Sequence, residues 1–226
     1  MLDDYIWLED ELPILKQIPV EYTSAAILFS PFIQMPEGWE KAKRKNDYEH
    51  IFPNDEEIRD KGKAVSWKKV MSSCGFQTHA ELALALMTSI GALRDECARQ
   101  DLAKLLHANI KEGLFYPSED HISNFHIPGL VKVLGSNVSK RFYYSEPIVE
   151  NSGFLDTTEA NLQTILDEAA AELILTDKKM DFVFMSVYNS FINVFLAKDE
   201  NINDLVQRMV WEAMICDEST YISWYR

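Results

Sequence analysis

Phe182-Val183-Phe184-Met185-Ser186-Val187-Tyr188 and Phe191-Ile192-Asn193-Val194-Phe195-Leu196, joined by Asn189-Ser190, decide the fold. Both runs are rich in β-branched and aromatic residues, and a short polar pair separates them. That pattern predicts a β-hairpin. Both alternating phases are largely apolar, which predicts a sheet covered on both faces. Just before it, Thr158 is placed to cap a helix with apolar positions Leu162, Ile165, Leu166, Ala169 and Leu173. Just after it, Ile202, Leu205, Val206, Met209 and Ala213 form one face of a final helix. Arg141-Phe142-Tyr143-Tyr144 reads as a further strand.

Further out, helices dominate the middle. Asn54 precedes Asp55, Glu56 and Glu57, which suit a helix N-terminus. Ser66 is placed to cap a helix that ends near Gly75. Thr78-His79-Ala80-Glu81 has capping-box spacing and opens a helix apolar nearly all round. A fourth carries Leu102, Leu105, Leu106 and Ile110, with Gly113 placed to stop it. Residues 1–45 carry Trp7, Pro13, Pro19, Pro31, Pro36 and Trp39, a proline density that breaks long helices. They read as an irregular aromatic arm with one short strand at Ala25-Ala26-Ile27-Leu28-Phe29. The expected class is α+β: a helical middle over 50–115 and a C-terminal β-hairpin flanked by helices. Segregated helices and strands favour this over a doubly wound sheet. A single compact domain over 1–226 is expected, since no low-complexity linker divides the chain.

The chain has 36 Asp and Glu against 22 Lys and Arg, a net charge of -14. Polyanion binding requires clustered Lys and Arg, so nucleic acid and anionic membranes are expected not to be partners. Residues 1–50 carry net -5, residues 51–150 net -1 and residues 151–226 net -8. The one dense basic run, Lys41-Ala42-Lys43-Arg44-Lys45, precedes Asp47 and Glu49 and reads as a solvated face. Acids at Asp3 and Asp4 stand where a signal peptide carries Lys or Arg, and no run reaches about 18 apolar residues. Cys74, Cys97 and Cys216 fit neither a disulfide framework nor a zinc spacing. A cytoplasmic protein with reduced thiols follows as the expectation.

Few residues suggest chemistry. Glu119-Asp120-His121 with His126 is the densest group of metal-ligand types, and is the candidate metal site. The five-residue spacing of the histidines is not a helical ligand pair. Pro117, Asn124 and Pro128 argue for a polar loop instead. Gly135-Ser136-Asn137-Val138-Ser139-Lys140 lacks the phosphate-loop pattern and reads as a turn. There is no Gly-x-Ser-x-Gly elbow. Cys97 directly follows Asp95 and Glu96, acids that would raise its thiol pKa. Asp167, Glu168 and Glu172 read as the solvent face of one helix. No cofactor is called for.

Ile6-Trp7-Leu8-Glu9, Pro31-Phe32 with Met35-Pro36-Glu37-Gly38-Trp39, and the hairpin-helix-Trp224 ending resemble an uncharacterised family of small cytoplasmic proteins from spore-forming bacteria. The resemblance implies a bacterial protein and carries over no site residues. The leading expectation is a non-catalytic binding or regulatory protein whose acidic ends meet a basic protein partner. An immunity protein against a basic toxin is one form of it. The alternative is a metal-dependent or small-molecule-binding enzyme with its site near residues 119–126. A homodimer through Trp224 and Tyr225 is a further possibility.

Overall fold

The two runs quoted at the outset pair antiparallel, Phe184 opposite Phe195, in the computed structural model of the chain. The structure describes residues 6–46, 49–135, 140–169, 172–198 and 201–223. Outside these lie Asp3 and Asp4 of the acidic start, Asp47, residues 136–139 of the small-residue turn, and Trp224 and Tyr225 of the aromatic tail. In chain order the elements are β1 (Ser24–Phe29), β2 (Phe32–Gln34), α1 (Trp39–Lys43), α2 (Asp55–Lys61), β3 (Lys63–Val65), α3 (Trp67–Cys74), α4 (His79–Ser89), α5 (Gln100–Asn109) and β4 (Leu114–Phe115). There follow α6 (Ile127–Leu134), β5 (Arg141–Glu146), β6 (Asn151–Asp156), α7 (Glu159–Glu168), β7 (Ile174–Asp177), β8 (Phe182–Ser186), β9 (Ile192–Ala197), α8 (Ile202–Met209) and β10 (Ala213–Ile215). The class is α+β, with antiparallel sheets.

The chain divides into two compact units: one takes residues up to Ser30 and from Ser118 onward, the other Pro31–Pro117. The first is built on a seven-stranded sheet in the order β10-β1-β9-β8-β7-β5-β6. Every residue of β8 and β9 is buried, so both phases of the hairpin lie inside, as the two-phase apolar pattern requires. One core joins Phe142, Leu175, Phe184 and Phe195 of the sheet to Leu130 and Leu134 of α6, Leu162 and Leu166 of α7, and Leu205 and Val206 of α8. Phe184 and Phe195 stack at 4.4 Å between ring centroids, and the Trp211 ring meets both edge-on.

Three features that the sequence reading left open or misplaced have physical causes. The short strand expected at Ala25–Phe29 is present as β1, but it is no part of an irregular arm: it lies in the interior of the sheet between β9 and β10, with Ala25 to Phe29 all buried. Prolines flank this run at Pro19 and Pro31 without entering it, so they punctuate a strand instead of dissolving it. Residues 127–134 are helical despite Pro128, because proline at the first turn removes an N–H that needs no intrahelical partner. Glu172 lies beyond the end of α7 and is buried, whereas Asp167 and Glu168 are exposed as the solvent-face reading requires.

The second unit holds α1 to α5 and a small sheet in the order β3-β2-β4. Its helix starts follow local chemistry. Asn54 with Glu57 and Thr78 with Glu81 form full capping boxes, and Ser66 accepts from the Lys69 amide. Gly75, at φ 82°, closes α3 in the left-handed conformation. Helix α5 ends at Asn109, earlier than Gly113 suggested; Gly113 instead turns the chain into β4. The basic run is matched by carboxylates. Lys41 pairs with Glu112 at 3.1 Å, Lys43 with Glu57, and Arg44 with Glu40.

Helix α8 ends on Val210 at φ 58° and ψ 33°, 89% exposed. A β-branched residue in the left-handed region crowds its Cβ against the backbone, at about 1–2 kcal/mol. Glycine relieves the crowding but loses more chain entropy. Val210→Gly is therefore expected to stabilise the protein by about 0.5–1 kcal/mol, raising the melting temperature by about 2 °C. Thermal unfolding followed by circular dichroism reads this directly, and a lower midpoint would count against stored strain at this cap.

Candidate functional site

The residues singled out at 119–126 share one segment, and its first half is tied to the β8–β9 turn. That turn needs a left-handed residue, and Asn189 supplies it at φ 50°. Asp120, itself at φ 61°, donates its amide to the Ser190 carbonyl at 2.9 Å. Its Oδ1 accepts the Ser190 amide at 3.2 Å. Asn193 of β9 donates Nδ2 to the His121 carbonyl at 3.3 Å. On the other flank, Gln163 of α7 donates to Asn124 at 2.9 Å and to Asp167 at 2.6 Å.

Electrostatics couples three of the four residues and sets His126 apart. The Glu119 carboxyl is raised above its ordinary value, first by burial and then by the charge of Asp120. Burial also raises Asp120, while amides of Ser190 and Asn189 and the nearby His121 pull it down. His121 is exposed, and its Nδ1 lies 2.6 Å from the Glu119 carbonyl. A carbonyl only accepts, so Nδ1 carries the proton, and Nε2 is an acceptor while the ring is neutral.

His126 differs from His121 in almost every respect. It is 3% exposed and meets the Trp211 ring edge-on at 5.8 Å. Burial pulls its pKa down to about 4, while Asn193 and the Phe29 backbone favour the protonated ring. The ring is therefore neutral at pH 7. Among the described residues, His126 Nδ1 and Asn193 Oδ1 are buried atoms with no hydrogen-bond partner. Gly129, in the first turn of α6, lets the Trp211 ring approach: a Cβ there would lie 2.5 Å from its Cζ2.

The segment thus brings Glu119, Asp120 and His121 together at the hairpin turn and sends His126 into the core. Among the described residues, no group of three or more His, Cys, Asp or Glu side chains is disposed to hold a metal ion. The segment offers two half-buried carboxyls with raised pKa values and a hairpin turn fixed by the bonds of Asp120 to Ser190. Two of the thiols are poor nucleophiles, since burial raises Cys74 and pushes Cys216 up to about 12.

Sequence reading did not single out Asn193, Ser190, Gly129 or Trp211. Asn193 had a signal: it is the one polar residue in the apolar run Phe191–Leu196. Such a residue must be paid for by a partner, here a carbonyl in the 119–126 segment.

The charge divides along the same lines as the fold. Residues 1–30 and 118–226 carry 23 Asp and Glu against 9 Lys and Arg, whereas residues 31–117 carry 13 of each. The whole net charge of -14 therefore belongs to the seven-stranded unit, and the other unit is neutral. Among the described residues, no helix is long and apolar enough to cross a membrane.

Comparison with known proteins places the chain beside others without assigning it an activity. The family model described as "Protein of unknown function (DUF2711)" matches residues 10–226. An uncharacterized protein of Bacillus subtilis (strain 168), YwbB, is 82% identical over 223 residues, which is 99% of this chain and 99% of that protein. No solved structure matches. With a match over nearly its whole length and a relative in a spore-forming bacterium, the chain belongs to the DUF2711 family, in keeping with the resemblance carried by its aromatic and proline motifs.

Proposed function

We propose that this chain is a binding or regulatory protein of the bacterial cytoplasm, acting through protein contacts rather than catalysis. Its seven-stranded unit is the part that meets a basic protein. The observation that carries this reading is the division of charge: one unit holds all of the net -14, and the other holds acids and bases in equal number. A single-sign field on one unit raises the encounter rate with a basic partner and repels acidic competitors. Many of the acids of this unit reach solvent. Glu9, Glu11, Glu21, Asp156, Glu159, Asp167, Glu168, Asp204, Asp217 and Glu218 are all exposed. The basic run at 41–45 offers little to a polyanion, because Lys41, Lys43 and Arg44 are already matched by carboxylates.

Affinity capture with the full chain tests the reading, using lysate of Bacillus subtilis at about 0.1 M and about 1 M salt, where the screening length falls from about 10 Å to about 3 Å. A basic protein retained at low salt and released at high salt is the expected result. Native mass spectrometry should then show the two as a defined complex. Failure to retain any basic protein, or retention indifferent to salt, would overturn the proposal.

A further inference from the structure

Two polar side chains of the seven-stranded unit meet deep inside it. His126 is 3% exposed and Asn193 is 1% exposed. Asn193 stands on β9 with Leu28 of β1 opposite on one side and Ser186 of β8 opposite on the other. Leu28 has no polar side-chain atom, and the Ser186 hydroxyl oxygen accepts from the Leu173 amide at 2.9 Å. The Trp211 ring stands against His126. An imidazole and an amide in such a place each have two ends to serve, and an unserved polar atom in an apolar interior is costly.

One end of each is engaged by backbone. Asn193 donates Nδ2 to the His121 carbonyl at 3.3 Å. The His126 ring donates to the Phe29 backbone. His126 Nδ1 has no partner among the described residues, so Nε2 makes this bond and carries the proton of the neutral ring. Nδ1 is then an acceptor. Asn193 Oδ1 is an acceptor too; it faces the ring and likewise has no partner. Two acceptors cannot satisfy each other, and rearranging the pair does not help. Moving the ring proton to Nδ1 would serve Asn193 but set Nε2 against the Phe29 carbonyl. Turning the Asn193 amide would serve Nδ1 but set Oδ1 against the His121 carbonyl. Protonating the ring would serve both acceptors but place a charge in the core.

We propose that His126 Nδ1 and Asn193 Oδ1 form a buried binding site for one water molecule, which donates a hydrogen to each. Water fits the site because its two O–H groups match two acceptors and it brings no net charge into the core. The bridge fastens segment 119–126 to the hairpin at a third point, deeper than the bonds of Asp120 to Ser190 and of Asn193 to the His121 carbonyl. It also gives the one polar residue of the run Phe191–Leu196 a reason to stand where it does: Asn193 serves the segment with its nitrogen and the water with its oxygen. The site does not depend on a basic partner.

A high-resolution crystal structure of the full chain at neutral pH is the test, together with nitrogen-15 spectra of the His126 ring. The expected result is a water about 2.7–3.2 Å from both Nδ1 and Oδ1, with the ring proton on Nε2. Stability in solution supplies a second readout. Asn193→Leu and His126→Phe each leave one acceptor facing an apolar group, so each should raise the unfolding constant about 5- to 150-fold. The double variant leaves neither acceptor, so its rise should fall well short of the product of the two. A direct bond between the Asn193 amide and the ring, or a ring protonated on Nδ1, overturns the proposal. So does a space between the two atoms that holds no water, or a double variant whose rise equals the product.

Discussion

Trp211→Ala is expected to lower the stability of the seven-stranded unit by about 3–5 kcal/mol, the cost of emptying a large aromatic site in a packed core. Trp211 is buried and touches four residues: the stacked pair Phe184 and Phe195, His126 through its ring and Gly129 through its bare backbone. Removing it takes an edge-on partner from two phenylalanines and opens a void that backbone-bound neighbours cannot fill. Urea unfolding at neutral pH measures the loss, and a change below about 1 kcal/mol would show that the site collapses freely.

Gly129 supplies the partner experiment. A methyl group there must displace the indole ring, since Cζ2, Cε2 and Nε1 would lie 2.5 to 2.7 Å away. Gly129→Ala gains about 1 kcal/mol of helix propensity but overpacks the core at about 1–3 kcal/mol. With Trp211 already replaced by leucine, the same change should become neutral or stabilising. The coupling between the two positions is the direct readout of their contact.

The second large effect is a pH dependence. His126 is pulled down to about 4 in the folded protein, and an unfolded histidine titrates near 6.5. The unfolded chain therefore takes up the proton first. The contribution of His126 is fully present above about pH 6.5 and is lost as the pH falls toward about 4, by roughly 3 kcal/mol. Glu119 and Asp120 act in the opposite sense. Their carboxyls hold protons more tightly when folded, so acidification through the carboxylate range favours the native state. His126→Gln isolates the histidine. The stability difference between wild type and variant should shrink by roughly 3 kcal/mol from about pH 7.5 to about pH 4. Parallel pH profiles for the two proteins would show that the imidazole does not control acid unfolding.

The elements legible in the sequence are those whose signals are local. Asn54, Ser66, Thr78 and Thr158 each cap a helix through their own side chain, so a few residues suffice to place each start. The apolar runs of β8 and β9 were equally plain. The elements that escaped depend on distant partners. β6 begins Asn151-Ser152-Gly153, a turn-like composition, and is a strand because β5 lies beside it. The strand at β1 is legible from its apolar run, but its interior place is not, because that comes only when β9 and β10 close on it. The site divides in the same way. The carboxyls and histidines at 119–126 could be named from the sequence. That His126 turns inward to Trp211 while Asp120 ties the hairpin turn depends on segments about 70 to 85 residues away.

The interior place of β1 also governs the order of events during synthesis. Ser24–Phe29 emerges early, yet its two neighbours are Ile192–Ala197 and Ala213–Ile215. At about 5–20 residues per second, the strand waits on the order of ten seconds or more for its first partner to leave the ribosome. The Pro31–Pro117 unit is contiguous in the chain and complete well before then. Nascent chains released short of β9 should therefore carry an orphaned apolar strand, Ala25-Ala26-Ile27-Leu28-Phe29. Chaperones would meet this protein through that strand.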